Sequence, residues 1–346
     1  MGRGVGHRGV SRRGLLLGGL ALAGGGLLTG LDSGRAAAAA GPTIVNCDAW
    51  GSRQPKGSLP IYDKRPVKIL VHHTATPNVT ATGQDAAFRL ARSIQKFHMD
   101  TRDWPDTGQH FTVSRGGVVL EGRHRSLEFA REGTRQVEGA HCTNQNAVAL
   151  GIENEGTYTA VDPPAQLWDR LRELCAYLCA QYGIAPSEIY GHRDFKDTAC
   201  PGDKLYAALP RLRTEVAGLL GQRTAGKPRK AAWPLLRVAD RGEKVLAAQH
   251  LMRAAGVPGV VPDGRFTREL ADAVRGFQAA RDFRDDETAE VTGMIGGETW
   301  PALARPVRVG EDGEAARAVE VLLRGRRAES VPDVVTPDVW QHLLSS

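Results

Sequence analysis

Val67-Lys68-Ile69-Leu70-Val71-His72 is a short, mostly aliphatic run that reads as a buried strand ending in a histidine. Outward from it, strands and helices alternate. Gln84 to His98 reads as a helix that puts Ala87, Leu90, Ala91, Ile94 and Phe97 on one face. Gln109 to Ser114 and Val118 to Glu121 read as a hairpin around Gly116-Gly117, and Ala147 to Asn154 as another strand. Gln166 to Tyr182 is an amphipathic helix with Leu167, Leu171, Leu174, Leu178 and Tyr182 aligned, and Gly183 is placed to end it. Ile189-Tyr190-Gly191-His192 is a short last strand, and Asp203 to Leu220 a closing helix. This alternation predicts an α/β domain, a central mixed sheet flanked by helices.

The chain has 346 residues, room for two or three domains. The α/β pattern occupies 42–220. A linker rich in Lys, Arg, Gly and Ala follows at 221–232, and a third segment runs from Trp233 to the end. That segment repeats itself: Leu236-Arg237-Val238-Ala239-Asp240-Arg241-Gly242-Glu243 matches Val307-Arg308-Val309-Gly310-Glu311-Asp312-Gly313-Glu314, and each is followed by a helical stretch. The unit ends also match, Gly296-Gly297-Glu298-Thr299-Trp300-Pro301-Ala302-Leu303 against Val335-Thr336-Pro337-Asp338-Val339-Trp340-Gln341-His342-Leu343. A full unit at 233–304 and a truncated one at 305–346 are expected.

The first forty residues read as an export signal rather than fold. Ser11-Arg12-Arg13-Gly14-Leu15-Leu16 is a twin-arginine pattern, Leu15 to Leu31 is apolar and Gly-rich, and Ala36 to Ala40 offers a cleavage site. The apolar run is short and rich in Gly for a retained anchor. A secreted or wall-associated protein with no stable membrane insertion after cleavage is expected, and a monomer. The net charge of +6 suits an anionic cell wall or nucleic acid equally. No recognition motif supports nucleic acid, which is not expected as a partner.

Three positions fit a catalytic metal site. His72 closes a strand, His192 follows another, and Cys200 comes eight residues later in Gly191-His192-Arg193-Asp194-Phe195-Lys196-Asp197-Thr198-Ala199-Cys200-Pro201-Gly202. Zinc accepts imidazole nitrogen and thiolate sulfur, and three protein ligands leave one position for water. With Cys200 assigned to metal, Cys47, Cys142, Cys175 and Cys179 remain, with three possible pairings among them. Cys175 and Cys179 share a helix, as a disulfide or as buried thiols on its apolar face.

Beyond spacing, the segment from Cys47 to about Leu220 resembles the peptidoglycan recognition protein and type-2 N-acetylmuramoyl-L-alanine amidase family. The matching pieces are Asp48-Ala49-Trp50-Gly51-Ser52-Arg53, Val71-His72-His73-Thr74-Ala75-Thr76, Asp106-Thr107-Gly108-Gln109-His110-Phe111, Glu121-Gly122-Arg123, Gly139-Ala140-His141-Cys142, Asn146 to Glu153, and Gly191 to Gly202. The resemblance implies Zn2+ held by His72, His192 and Cys200, with His73 supporting them. It implies hydrolysis of the amide joining N-acetylmuramic acid to L-Ala in peptidoglycan or muropeptides. It also implies a departure. Many members carry a Tyr in Asp-x-Gly-Tyr-x-Phe where this chain has Gln109, and Gln carries no proton at neutral pH. A peptidoglycan-binding protein without turnover is the alternative.

Leu150-Gly151-Ile152-Glu153-Asn154-Glu155-Gly156 resembles a stretch of the cytoplasmic anhydro-muropeptide amidases, which places Glu153 at the catalytic position. Strand alternation puts Glu153 and Glu155 on one face, so the match rather than the spacing selects Glu153. Thr198 is expected to hydrogen-bond the substrate carbonyl or oxyanion. His73, Gln109, His110 and His141 are expected to contact substrate, and Arg193 and Asp194 to brace the ligand loop. Pro234 to Leu303 resembles the small all-α three-helix peptidoglycan-binding domain, with a half-repeat from Pro306 to Leu344. Phe277 and Trp300 are expected in its core, and its tether to the amidase would raise local substrate concentration on the wall.

Overall fold

The computed structural model describes Met1 and residues 41–230, 232–324 and 332–345. The export signal expected at 1–40 lies outside the described residues. The elements are β1 (Ile44–Val45), α1 (Cys47–Trp50), β2 (Ile61–Tyr62), β3 (Lys68–His73), α2 (Gln84–Lys96), β4 (Phe111–Val113), β5 (Val119–Glu121), α3 (Ser126–Glu132), β6 (Gln136–Val137), β7 (Ala149–Asn154), α4 (Ala165–Tyr182), β8 (Ile189–Gly191), α5 (Asp203–Ala207) and α6 (Leu209–Leu219). The C-terminal region adds α7 (Glu243–Ala254), α8 (Arg268–Ala279), α9 (Thr299–Leu303), β9 (Val307–Arg308), α10 (Glu314–Leu323), β10 (Val334–Val335) and α11 (Pro337–Ser345).

The strand read first, β3, lies inside a six-stranded mixed sheet of order β1-β5-β4-β7-β3-β8. It pairs in parallel with β7 and β8, while β4 and β5 form the expected antiparallel hairpin. Side chains alternate across the sheet. Ile69, Val71, Leu150 and Ile152 face α4, whose Leu167, Leu171, Leu174 and Leu178 complete that core. Leu70 and Ala149 point to the other side, against Cys142 and Tyr190. His72 and Glu153 continue that second face by the same alternation, so the apolar pattern aims both away from α4. Gly183 ends α4 at φ 72°, in the left-handed region where glycine carries no steric penalty.

Several boundaries differ from the expectation. The helix at 84–98 stops at Lys96 and continues as a wider π turn, Phe97–Thr101. The closing helix is two, because Pro210 in the first turn of α6 interrupts continuous hydrogen bonding. The short α1, α3 and the β2–β6 pair carry too few residues for a periodic signal. All five cysteines are free thiols, with Cys175 and Cys179 buried in the apolar face of α4.

The C-terminal region has one core rather than two. Buried residues from Trp233 to Leu344 form a single cluster in which Trp300, Trp340 and Phe277 take part, and the Trp233 and Trp300 rings stack with centroids 6.2 Å apart. The truncated repeat therefore completes the core of the full unit. Nor does this region hang on a free tether. In the linker, Arg229 N donates to Glu188 Oε1 (3.3 Å) and Lys230 N to the Tyr190 hydroxyl (3.1 Å).

The docking is tightest at Asp197, on the loop that follows β8. Its buried carboxylate accepts from Gly296 N (2.7 Å), Thr299 N (3.0 Å), Thr299 Oγ1 (2.5 Å) and Gln278 Nε2 (3.0 Å). Beside it, Lys196 Nζ pairs with Glu298 Oε1 at 2.9 Å, both side chains largely buried. Backbones meet directly here: a Cβ on Gly297 would fall 2.6 Å from the Asp194 carbonyl carbon.

Candidate metal centre

His72 is the penultimate residue of β3, His192 opens the turn after β8, and Cys200 lies eight residues further along the same loop. The loop is fixed internally. Asp194 accepts from Gly191 N (2.9 Å) and the Tyr206 hydroxyl (2.5 Å), and Arg193 pairs with Asp203 (2.9 Å). Arg193 also donates to the Ala199 carbonyl. Both residues brace the loop. The Thr198 hydroxyl accepts from Cys200 N at 3.2 Å, which helps turn the sulfur inward.

One donor atom from each of His72, His192 and Cys200 lies within 4.8 Å of the others. His72 Nδ1 is 3.7 Å from Cys200 Sγ, and His73 N donates to that sulfur at 3.4 Å. Hydrogen-bond logic fixes the His72 tautomer. The Ala149 carbonyl only accepts, so His141 Nε2 (3.3 Å away) carries the hydrogen and His141 Nδ1 accepts from His72 Nε2 at 3.1 Å. The lone pair of His72 is then on Nδ1, facing the sulfur. Gly151 makes this possible, since a Cβ there would fall 2.5 Å from the His141 ring.

Burial dominates the electrostatics. It pushes the Cys200 thiol up, with the Glu153 charge adding to the effect, and pushes the His72 imidazole down, with His192 and His141 adding. Burial also raises the Glu153 carboxyl well above its ordinary value, helped by Glu287. Glu153 Oε1 lies 3.8 Å from His72 Nδ1, and its Oε2 is buried without a hydrogen-bond partner. Two imidazoles, one sulfur and an unpartnered carboxylate oxygen form a set that a divalent cation would compensate.

The centre opens into a cleft of about 810 Å³ lined by His72, His73, Glu153, His192, Thr198 and Cys200 from the α/β domain.

Comparison with known proteins matches this region. A family model described as N-acetylmuramoyl-L-alanine amidase matches residues 62–203. Peptidoglycan recognition protein 1 of Bos taurus is 33% identical over 177 residues, covering 50% of this chain and 85% of that protein. The chain belongs to the peptidoglycan recognition protein and type-2 amidase family. Peptidoglycan-recognition protein LB of Drosophila melanogaster is 30% identical, over 48% of this chain and 67% of that protein. The N-acetylmuramoyl-L-alanine amidase of Sus scrofa is 32% identical over 55% of this chain, which spans 31% of that longer protein.

Within this family domain the expected substrate contacts divide. His73 lines the cleft; its Nδ1 accepts from Tyr158 N, and burial together with Arg193 pushes its pKa down to about 4. Gln109, His110 and His141 do not line it. His110 is held between Gly151 N and the Val137 carbonyl, both 3.0 Å away, and His141 serves His72. Gln109 donates to Thr112 Oγ1 at 2.9 Å. The rings of His110 and His141 are taken up by backbone groups and by His72, while Gln109 keeps its Oε1 buried without a hydrogen-bond partner among the described residues. Glu155 turns away to accept from Arg115 N at 2.7 Å, which separates it from Glu153.

The sequence carried no signal for the opposite wall. Arg275, Asp285, Glu287, Thr288, Glu290 and Thr292 of the C-terminal region line the same cleft. Glu287 Oε2 is 3.2 Å from His98 Nε2, and Asp286 Oδ2 is 3.1 Å from His192 Nε2. In sequence, Asp285-Asp286-Glu287 is an ordinary acidic loop.

Proposed function

We propose that the chain is a zinc-dependent N-acetylmuramoyl-L-alanine amidase that cleaves the bond between N-acetylmuramic acid and the L-Ala of the stem peptide. The observation that carries this reading is Glu153, buried, unpartnered at Oε2 and beside the cluster of His72, His192 and Cys200. These three residues would hold the ion. Bound zinc supplies a Lewis acid that polarises a carbonyl and acidifies water.

The protein's own groups do the rest. Glu153 takes the proton of the attacking water and passes one to the departing L-Ala nitrogen, as the amide C–N bond breaks and a C–O bond forms. Burial that raises its pKa favours this exchange, because the carboxyl holds the proton between the two steps. Among the described residues the Thr198 hydroxyl is seen accepting from Cys200 N, which leaves its hydrogen to stabilise the carbonyl oxygen. His73, Phe97 and Met294 line the cleft beside the reacting groups. Secretion by the twin-arginine route, action on the wall and peptidoglycan binding by the C-terminal region belong to the same proposal.

Gln109, standing where many relatives carry Tyr, favours a second reading as a binder without turnover. Incubating the zinc-loaded protein with purified peptidoglycan and quantifying new amino ends decides between them. New L-Ala amino ends support the amidase. Protein that pellets with the wall and releases no new ends supports the binder.

A further inference from the structure

The two imidazoles of the centre have different outer partners. His72 is held by His141 of its own domain. His192 meets Asp286, which lies 94 positions along the chain in the C-terminal region. We propose that Asp286 is the positioning residue of His192, so that the metal centre is completed by the docked C-terminal region. This rests on the reading of His72, His192 and Cys200 as metal ligands.

The contact is built rather than incidental. His192 Nε2 and Asp286 Oδ2 are 3.1 Å apart, with the side chains 4% and 6% exposed. The second carboxylate oxygen accepts from Thr143 N at 2.9 Å and from the Thr143 hydroxyl. Arg102 Nη2 holds the Asp286 carbonyl at 3.2 Å. The loop is stiffened from within, where Asp285 Oδ1 accepts from Glu287 N (3.1 Å) and Thr288 N (2.9 Å). Its far end is pinned where Thr292 Oγ1 donates to the Asp197 carbonyl at 2.7 Å.

The chemistry follows from the acceptor. An ionised carboxylate only accepts, so His192 Nε2 carries the hydrogen and the ring's lone pair is on Nδ1. Asp286 thus does for His192 what His141 does for His72: it fixes ring orientation and tautomer and raises ligand basicity. Asp286 also belongs to a second group with Cys142 and His192 whose donor atoms lie within 4.8 Å. In that arrangement Asp286 would be a competing ligand, and removing it would free His192.

The test uses the full-length protein and Asp286→Asn, which preserves the shape and the Thr143 contacts but turns the atom facing His192 into a donor. Zinc affinity is measured by competition with a chromophoric chelator. Long-range 1H–15N spectra of the zinc-free protein report the His192 tautomer, a readout that a general loss of packing does not move. The expected result is zinc affinity reduced by about 10- to 100-fold, with the His192 hydrogen moved from Nε2 toward Nδ1 and the melting transition still cooperative. Unchanged or tighter zinc binding by the variant, or faster turnover, overturns the proposal. His192→Ala is run in parallel. If wild type and His192→Ala bind zinc alike, the ligand assignment itself falls; if only Asp286→Asn is silent, the ligand assignment stands and the role of Asp286 falls.

Discussion

His72 and Glu153 stand directly opposite each other in the parallel pairing of β3 with β7, with Glu153 Oε1 3.8 Å from His72 Nδ1. Two neighbouring strands thus bring an imidazole nitrogen and a carboxylate together, and rigid sheet geometry rather than a loop sets their separation.

Glu153→Gln should keep zinc and lose turnover. The amide fills the same space but cannot carry a proton, so kcat should fall by about 10²–10⁴-fold, the span of general acid–base catalysis. Zinc stoichiometry and kcat on a defined muropeptide measure both. Turnover within a few-fold of wild type removes Glu153 from the mechanism.

Cys200→Ala should abolish stoichiometric zinc. The change removes the sulfur facing His72 Nδ1 and leaves two imidazoles. Metal analysis after equilibrium dialysis provides the check, and a full complement of zinc in the variant would refute the ligand set.

His141→Phe keeps the ring volume against Gly151 but removes the acceptor for His72 Nε2. Zinc affinity should weaken by about 10- to 100-fold, although His141 does not itself line the cleft. Chelator competition reads the effect; unaltered affinity would return His141 to a purely structural role.

Asp197→Ala should loosen the C-terminal region. It strands the buried backbone donors of Gly296 and Thr299, at a cost of about 1–3 kcal/mol for each left without a partner. Calorimetry should show the single unfolding transition separating into two, with faster proteolysis between Gly221 and Lys230. A variant as resistant and as cooperative as wild type would show that docking does not depend on this carboxylate.

What the sequence disclosed follows the range of the forces involved. β3, α4 and the Gly183 stop were legible because periodicity and capping act over a few residues. Pro210 shows the limit: the apolar spacing from Asp203 to Leu220 continues through a break in hydrogen bonding. At the centre, strand ends and the family resemblance brought out His72, His192, Cys200 and Glu153. Gln109, His110 and His141 were expected on the groove because they neighbour its motifs, but they bond instead to the Thr112 hydroxyl, to backbone groups and to the His72 ring. Asp286 left no trace, since its meaning arises only when a distant domain docks through Asp197.

The most direct test of the amidase reading is hydrolysis of peptidoglycan by the zinc-loaded protein in H2 18O, followed by mass spectrometry of both products. The account predicts one 18O in the lactyl carboxylate of N-acetylmuramic acid and none in the released stem peptide, whose new end is the L-Ala amine. Label in a peptide carboxylate, or no label in either product, would contradict it.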